Sequence, residues 1–238
     1  FITMSPTNRY TTFTAGNVGI GNTSPLYKLD VVSSDWVQAR FSATADGYAP
    51  ASILLESEAS SRGQGIYQYN SVSKNSWFSG VPYSTTSDDW IIAHKLETTA
   101  FNADVAQMSN ALFCVNDNGN VGIGTDSPDA KLELSSAQPR IRLTDTITGV
   151  SSGSTTGAID FYTSDASSEG NAVNAKIESY ADSIYGRLGL RFFTGGGGAP
   201  TQAMTINWVG SVGIGTTSPQ SKLQVAGGIQ MADDTDTA

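Results

Sequence analysis

Ser151 sits in Gly149-Val150-Ser151-Ser152-Gly153, the G-x-S-x-G spacing of a hydrolase nucleophile elbow. That chemistry needs a strand before the serine, a helix after it and a histidine later in the chain. The only histidine, His94, comes earlier, so the stretch is expected to be a solvated turn. His94 alone cannot form a multi-histidine metal site and is expected at the end of a strand that opens with Trp90-Ile91-Ile92-Ala93. Glu56 and Glu58 would lie on one face of an expected strand, roughly 7 Å apart, and glycoside hydrolysis uses two carboxylates flanking the bond. An acidic β protein contains such pairs without that use. Gly195 to Gly198 lacks the Lys-Ser/Thr of a phosphate loop and is expected at a hairpin tip. Asp117-Asn118-Gly119-Asn120 and Asp233-Asp234-Thr235-Asp236 offer oxygen ligands without calcium-loop spacing, and read as a turn and a tail. Cys114 is the sole cysteine, so no disulfide can form within the chain, and it reads as a small core residue of a strand over Leu112 to Val115. The sequence thus assigns no catalytic, metal or cofactor-binding residue and predicts no enzyme.

Binding offers more. Tyr67, Tyr69, Trp77, Phe78, Tyr83 and Trp90 fall in one stretch broken by polar turns. At least half of these rings are expected in the core, because aromatics supply large buried area. Trp77, Phe78 and Tyr83 lie in the turn-rich part, Asn70 to Asp89, beside Ser, Thr and Asn groups able to hydrogen-bond a sugar. They are the candidate glycan contacts, on the ground that binding usually lives on loops.

The elements that would position them are organised by one sixteen-residue phrase written three times. It reads GNVGIGNTSPLYKLDV from Gly16, GNVGIGTDSPDAKLEL from Gly119 and GSVGIGTTSPQSKLQV from Gly210. Self-similarity of this kind marks a repeated supersecondary unit. In each copy an apolar pair alternates with glycines: Val18, Gly19, Ile20, Gly21; Val121, Gly122, Ile123, Gly124; Val212, Gly213, Ile214, Gly215. Strand glycine is unfavourable and marks a bulge or a close approach of another backbone; close approach between chains is the expectation here. Ser24, Ser127 and Ser218 are expected to cap one tight helical turn, with Pro25, Pro128 and Pro219 at its first position. A second short strand begins at Leu29, Leu132 and Leu223. No such piece can bury its own apolar face, so a partner surface must come from neighbouring chains or flanking modules.

The phrase resembles the signature of bacteriophage tail fibres and tail spikes made with a cleavable C-terminal intramolecular chaperone, where it lies in a trimeric shaft. The closing stretch Val225-Ala-Gly-Gly-Ile-Gln-Met-Ala-Asp-Asp is similar to the segment that precedes the chaperone. The resemblance implies that a chaperone was removed after assembly, and that the partners are two further copies of the chain, other fibre or virion proteins and host-surface polysaccharide. The expected location is the extracellular virion tail.

Between the phrases the pattern is β. Val37, Ala39 and Phe41 alternate with polar residues, as do Ile66 and Gln68 with Tyr67 and Tyr69. The second module repeats the plan with Ile141 and Leu143, Ile159 and Phe161, Leu188, Leu190 and Phe192, then Met204, Ile206 and Trp208. Only Thr98 to Ser109 has a helical alternative. The expected organisation is 1–15 the end of a preceding β module, 16–31, 119–134 and 210–225 three couplings, 32–118 and 135–209 two β modules, and 226–238 a tail. Phe1-Ile2-Thr3-Met4 opens as if in mid-strand, so the chain is expected to be part of a longer polypeptide.

Twenty-two acidic against thirteen basic residues give a net charge of −9, three times that in a trimer. Such a surface repels phosphate backbones and anionic lipids, and no run approaches a membrane span, so neither nucleic-acid binding nor membrane insertion is expected. The predicted fold is an elongated, all-β homotrimer of tandem antiparallel modules joined by intertwined strand-turn-strand couplings. The predicted function is a structural and adhesive virion fibre segment. A cellular surface or filament protein using the same coupling, and a polysaccharide-depolymerising spike, are the alternatives.

Overall fold

A computed structural model describes residues 16–34, 53–57, 63–83, 88–164, 172–195 and 199–229. Among them there is no α-helix, and fourteen strands make three open sheets. The all-β expectation therefore holds. The chain divides into two units, 1–137 and 138–238, so the boundary falls just after the second phrase.

In the first unit β1 (Val18–Ile20) and β2 (Leu29–Val31) pair with each other in parallel. A six-stranded sheet follows: β3 (Gln64–Tyr69), β4 (Asn75–Val81), β5 (Trp90–Leu96), β6 (Ala111–Val115), β7 (Val121–Ile123) and β8 (Leu132–Leu134), neighbours in chain order. Every junction is antiparallel except the last. The second unit repeats the plan with β9 (Thr155–Thr163), β10 (Ala172–Ala181), β11 (Leu188–Thr194), β12 (Thr201–Ile206), β13 (Val212–Ile214) and β14 (Leu223–Val225). It too is antiparallel until its final pair, β13 with β14.

The first unit has a small core. The excursion between β5 and β6 forms two 3-10 turns, Ala103–Ala106 and Met108–Asn110, where the sequence left a helical alternative. Asn102 caps the first turn through its side chain. Val105 and Ala106 join Phe78, Ile91, Ala93 and Cys114 in one buried cluster on one face of the sheet. The second unit has no equivalent cover: among its described residues only Tyr180 and Ala181 are buried and apolar.

Several expected elements differ. Ile141 and Leu143 lie in no strand, and Trp208 falls in the turn after β12. Alternation supplies a strand pattern but not a neighbour to bond with, and among the described residues no strand pairs with this stretch. Glu56 is in no strand, and Glu58 lies outside the described residues, as do the alternation at Val37, Ala39 and Phe41, residues 1–15, most of the Gly195 to Gly198 stretch and the acidic tail. His94 is inside β5 rather than at its end.

Candidate functional site

The three phrases fold alike, which makes them the first candidate. Each places two three-residue strands in parallel, joined by only eight residues, where parallel neighbours usually need a dozen or more. Backbone bonds recur copy by copy: the amides of Val18, Val121 and Val212 donate to the carbonyls of Lys28, Lys131 and Lys222 at 2.9, 2.9 and 2.8 Å. The same lysines donate their Nζ to carbonyls in the turn entering the phrase, Gly16 (3.4 Å), Asn118 (2.9 Å) and Val209 (2.7 Å). The residue between the last two apolar positions reaches back to the connection. Asp30 Oδ2 accepts from the Leu26 amide, Glu133 Oε2 from Asp129 and Gln224 Oε1 from Gln220. Asn17 and Asn120 donate to the carbonyls of Pro25 and Pro128.

The connection is not the helical turn expected from Ser-Pro. The amides of Ser24, Ser127 and Ser218 donate to side chains two residues earlier, Asn22, Thr125 and Thr216, closing side-chain turns that take the place of a helical cap. The glycines also have another reason than the one expected. A Cβ on Gly213 would lie 2.6 Å from the Thr216 carbonyl oxygen, and one on Gly19 or Gly122 would meet the Asn22 or Thr125 carbonyl at closer range. The approaching backbone is the phrase's own connection, folded beneath its first strand. Gly21, Gly124 and Gly215 turn into that connection at positive φ of 72°, 76° and 68°.

With glycine on the covered side, Val and Ile point to the opposite face. There the phrase joins a row that crosses the whole sheet: Ile66, Ser79, Ile92, Phe113, Ile123 and Leu134 in the first unit. The matching row of the second is Ile159, Ile177, Phe192, Met204, Ile214 and Val225. A second row runs beside each, Trp90, Val115, Val121 and Leu132, and Leu190, Ile206, Val212 and Leu223. These faces are open: Ile66 is 57% exposed, Ile123 45%, Ile159 52% and Leu223 59%.

The other face of the second sheet is polar. Glu178 is buried there, bonded by Lys176 Nζ at 2.7 Å, Thr155 Oγ1 at 3.1 Å and Arg191 at 3.5 Å. Burial by itself raises the Glu178 pKa, but Lys176, Thr155 and Arg191 outweigh it and hold the carboxyl below its ordinary value. Arg191 also stacks on the Tyr180 ring at 3.5 Å. In the first unit burial, then Asp89 and Asp126, push the Cys114 thiol up.

The aromatic candidates separate. Phe78 is 1% exposed, a core residue, and is withdrawn from any glycan contact. Trp77, its neighbour in β4 rather than in a turn, points the opposite way. It is 41% exposed and packs against His94, with the ring centroids 4.5 Å apart and the planes inclined at 41°. His94 Nε2 and Asn75 Oδ1 are 2.8 Å apart. These three, with Gln68, Asn70 and Ser73, line a recess of about 780 Å³. Tyr83 lies elsewhere, bridged to Gln107. Gln68 and His94 were missed as ring neighbours, though the register Gln68–Trp77–His94 follows once the strands pair. Ser151 stands just ahead of a turn at Ser152 and Gly153, with no helix after it. Among the described residues no group of three or more His, Cys, Asp or Glu side chains is arranged to hold a metal.

No protein-family model matches this chain, and no curated protein matches it significantly.

Proposed function

We propose that the chain is a shaft segment of a homotrimeric virion tail fibre, with a mechanical and adhesive role and no catalytic one. The observation that carries this reading is the largely exposed apolar face of each six-stranded sheet. Large exposed apolar patches mark interaction surfaces, and burial is favourable by roughly 25 cal/mol per Å². Two further copies, presenting the same faces around a three-fold axis, would cover them. The resemblance of the thrice-written phrase to phage fibre shafts selects three copies and the virion setting. Light scattering of dilute protein tests this: a mass of three chains is expected, and a monomer at micromolar concentration would overturn it. Microscopy of the particle that carries the fibre tests the setting, since attachment to a cell surface would favour a cellular filament.

The adhesive part rests on Trp77, which stands on the same face as Ile66 and Ile92, two residues along the strands, and so requires that the other copies leave that end of the face uncovered. A flat ring beside amide and hydroxyl side chains can stack on a sugar and bond its hydroxyls, and weak sites repeated in a trimer gain avidity. Host-cell binding that falls on Trp77→Ala and Tyr83→Ala with unchanged melting is the expected result. Binding equal to the parent's would leave the segment a spacer. Release of reducing ends from host polysaccharide would replace the mechanical reading with a depolymerase.

A further inference from the structure

Residues 139–147, between the second phrase and β9, carry a strand pattern without a strand. Ile141, Leu143 and Ile147 alternate with Arg140, Arg142, Thr144 and Thr146. Ile141, Leu143 and Ile147 are 68%, 55% and 65% exposed. Among the described residues no backbone group of the stretch bonds to another backbone group, and the one backbone bond there is the Ile147 amide donating to Asp145 Oδ1 at 2.9 Å. Asp145 Oδ2 is shut off from solvent with no donor. Within one chain the stretch lies along an apolar groove of about 750 Å³, its Leu143 over Gly157, with Ile159, Ile177 and Leu190 opposite. At this exposure its backbone groups are left to water rather than to a ladder, so they are available to pair with another strand.

β9 presents the matching vacancy. At nine residues it is the longest terminal strand of the described sheets, and no strand lies against its outer edge among the described residues. A long, exposed edge is a template for another chain. Its residues sort as the stretch does, Ile159 and Phe161 on the apolar face and Asp160 and Tyr162 on the polar one. A strand added there with Ile141 and Leu143 continuing the apolar rows would bring Arg140 and Arg142 to the side of Asp160.

Resting on the trimeric reading, we propose that residues 139–147 of one chain pair as a strand with the outer edge of β9 in a second copy. The exchange would give the stretch and the middle of the β9 edge, around Ile159 and Asp160, a ladder partner, extend the apolar face by one strand and set arginine against aspartate across the chain boundary. It would also vacate the groove, leaving the donor's own apolar face to its neighbours.

The experiment uses full-length chains in a Cys114→Ala background. One population carries Thr144→Cys and the other Tyr162→Cys, both at exposed positions, and the two are assembled together. A flexible bismaleimide long enough for a two-residue register step of roughly 7 Å is added. Two-chain products are expected from the mixture and not from Thr144→Cys mixed with Val72→Cys. Trimers by scattering with no such product, or a link formed only within a chain carrying both cysteines, would overturn the exchange and leave the trimer standing. A monomer would overturn both. As a second measure, Thr144→Pro should lower the trimer's melting temperature by about 2–4 °C, since it deletes a ladder donor. An unchanged melt would mean that the stretch is not a strand.

Discussion

Gly19, Gly122 and Gly213 each lie over a carbonyl three residues ahead in their own chain, so their smallness is a local requirement. Gly122→Ala is expected to cost about 1–3 kcal/mol, as overpacking does, whatever the assembly state. Denaturant unfolding at several protein concentrations checks this, with Gly149→Ala, where nothing lies within 4 Å, as the neutral control. Glu178 supplies a second prediction at this scale. Its folded pKa is below its unfolded one, so its contribution is full above the ordinary carboxylate range and lost as pH falls through the folded value. Melting temperatures across that acid window should fall less steeply in Glu178→Gln. That variant should itself be less stable near neutrality by about 1–3 kcal/mol, because Lys176 and Arg191 lose their charged partner.

The phrase is the natural unit at the scale of elements. Lys28, Lys131 and Lys222 tie the end of the connection to the turn before it, at an exposed site. Lys131→Met should therefore cost only about 0.5–1.5 kcal/mol and speed amide exchange at Val121 more than at Ile91, which hydrogen-exchange mass spectrometry resolves. Much of this element was legible beforehand: three copies, two short strands, Pro in the connection. What hid was which backbone approaches the glycines, since a strand glycine looks the same whether its neighbour is another chain or its own loop. Ser-Pro misled similarly, because Asn22, Thr125 and Thr216 can also bond an amide two residues on and do so first. Ring positions were legible as residue types only. Trp77 and Phe78 are adjacent in sequence, and strand pleating sends one to the core and the other outward.

For the whole molecule, the apolar rows make a direct prediction. Ile159 is half exposed in one chain, so Ile159→Glu should be tolerated by an isolated unit, yet burying that carboxylate between copies would be prohibitive. Loss of the trimer by light scattering is expected, with Val72→Glu, at a turn position 91% exposed, leaving the mass unchanged. The final parallel pair of each sheet has a consequence of its own, one of parity. Six strands joined by five reversals would return the chain to the end at which it entered. Four reversals and one step without reversal send it out at the opposite end: β3 and β8, at the two edges of the sheet, run in the same direction, with Ile66 and Leu134 in one register row. The phrase thereby turns a meander that would fold back on itself into a passage, so another unit can be added in series without the chain having to retrace its path.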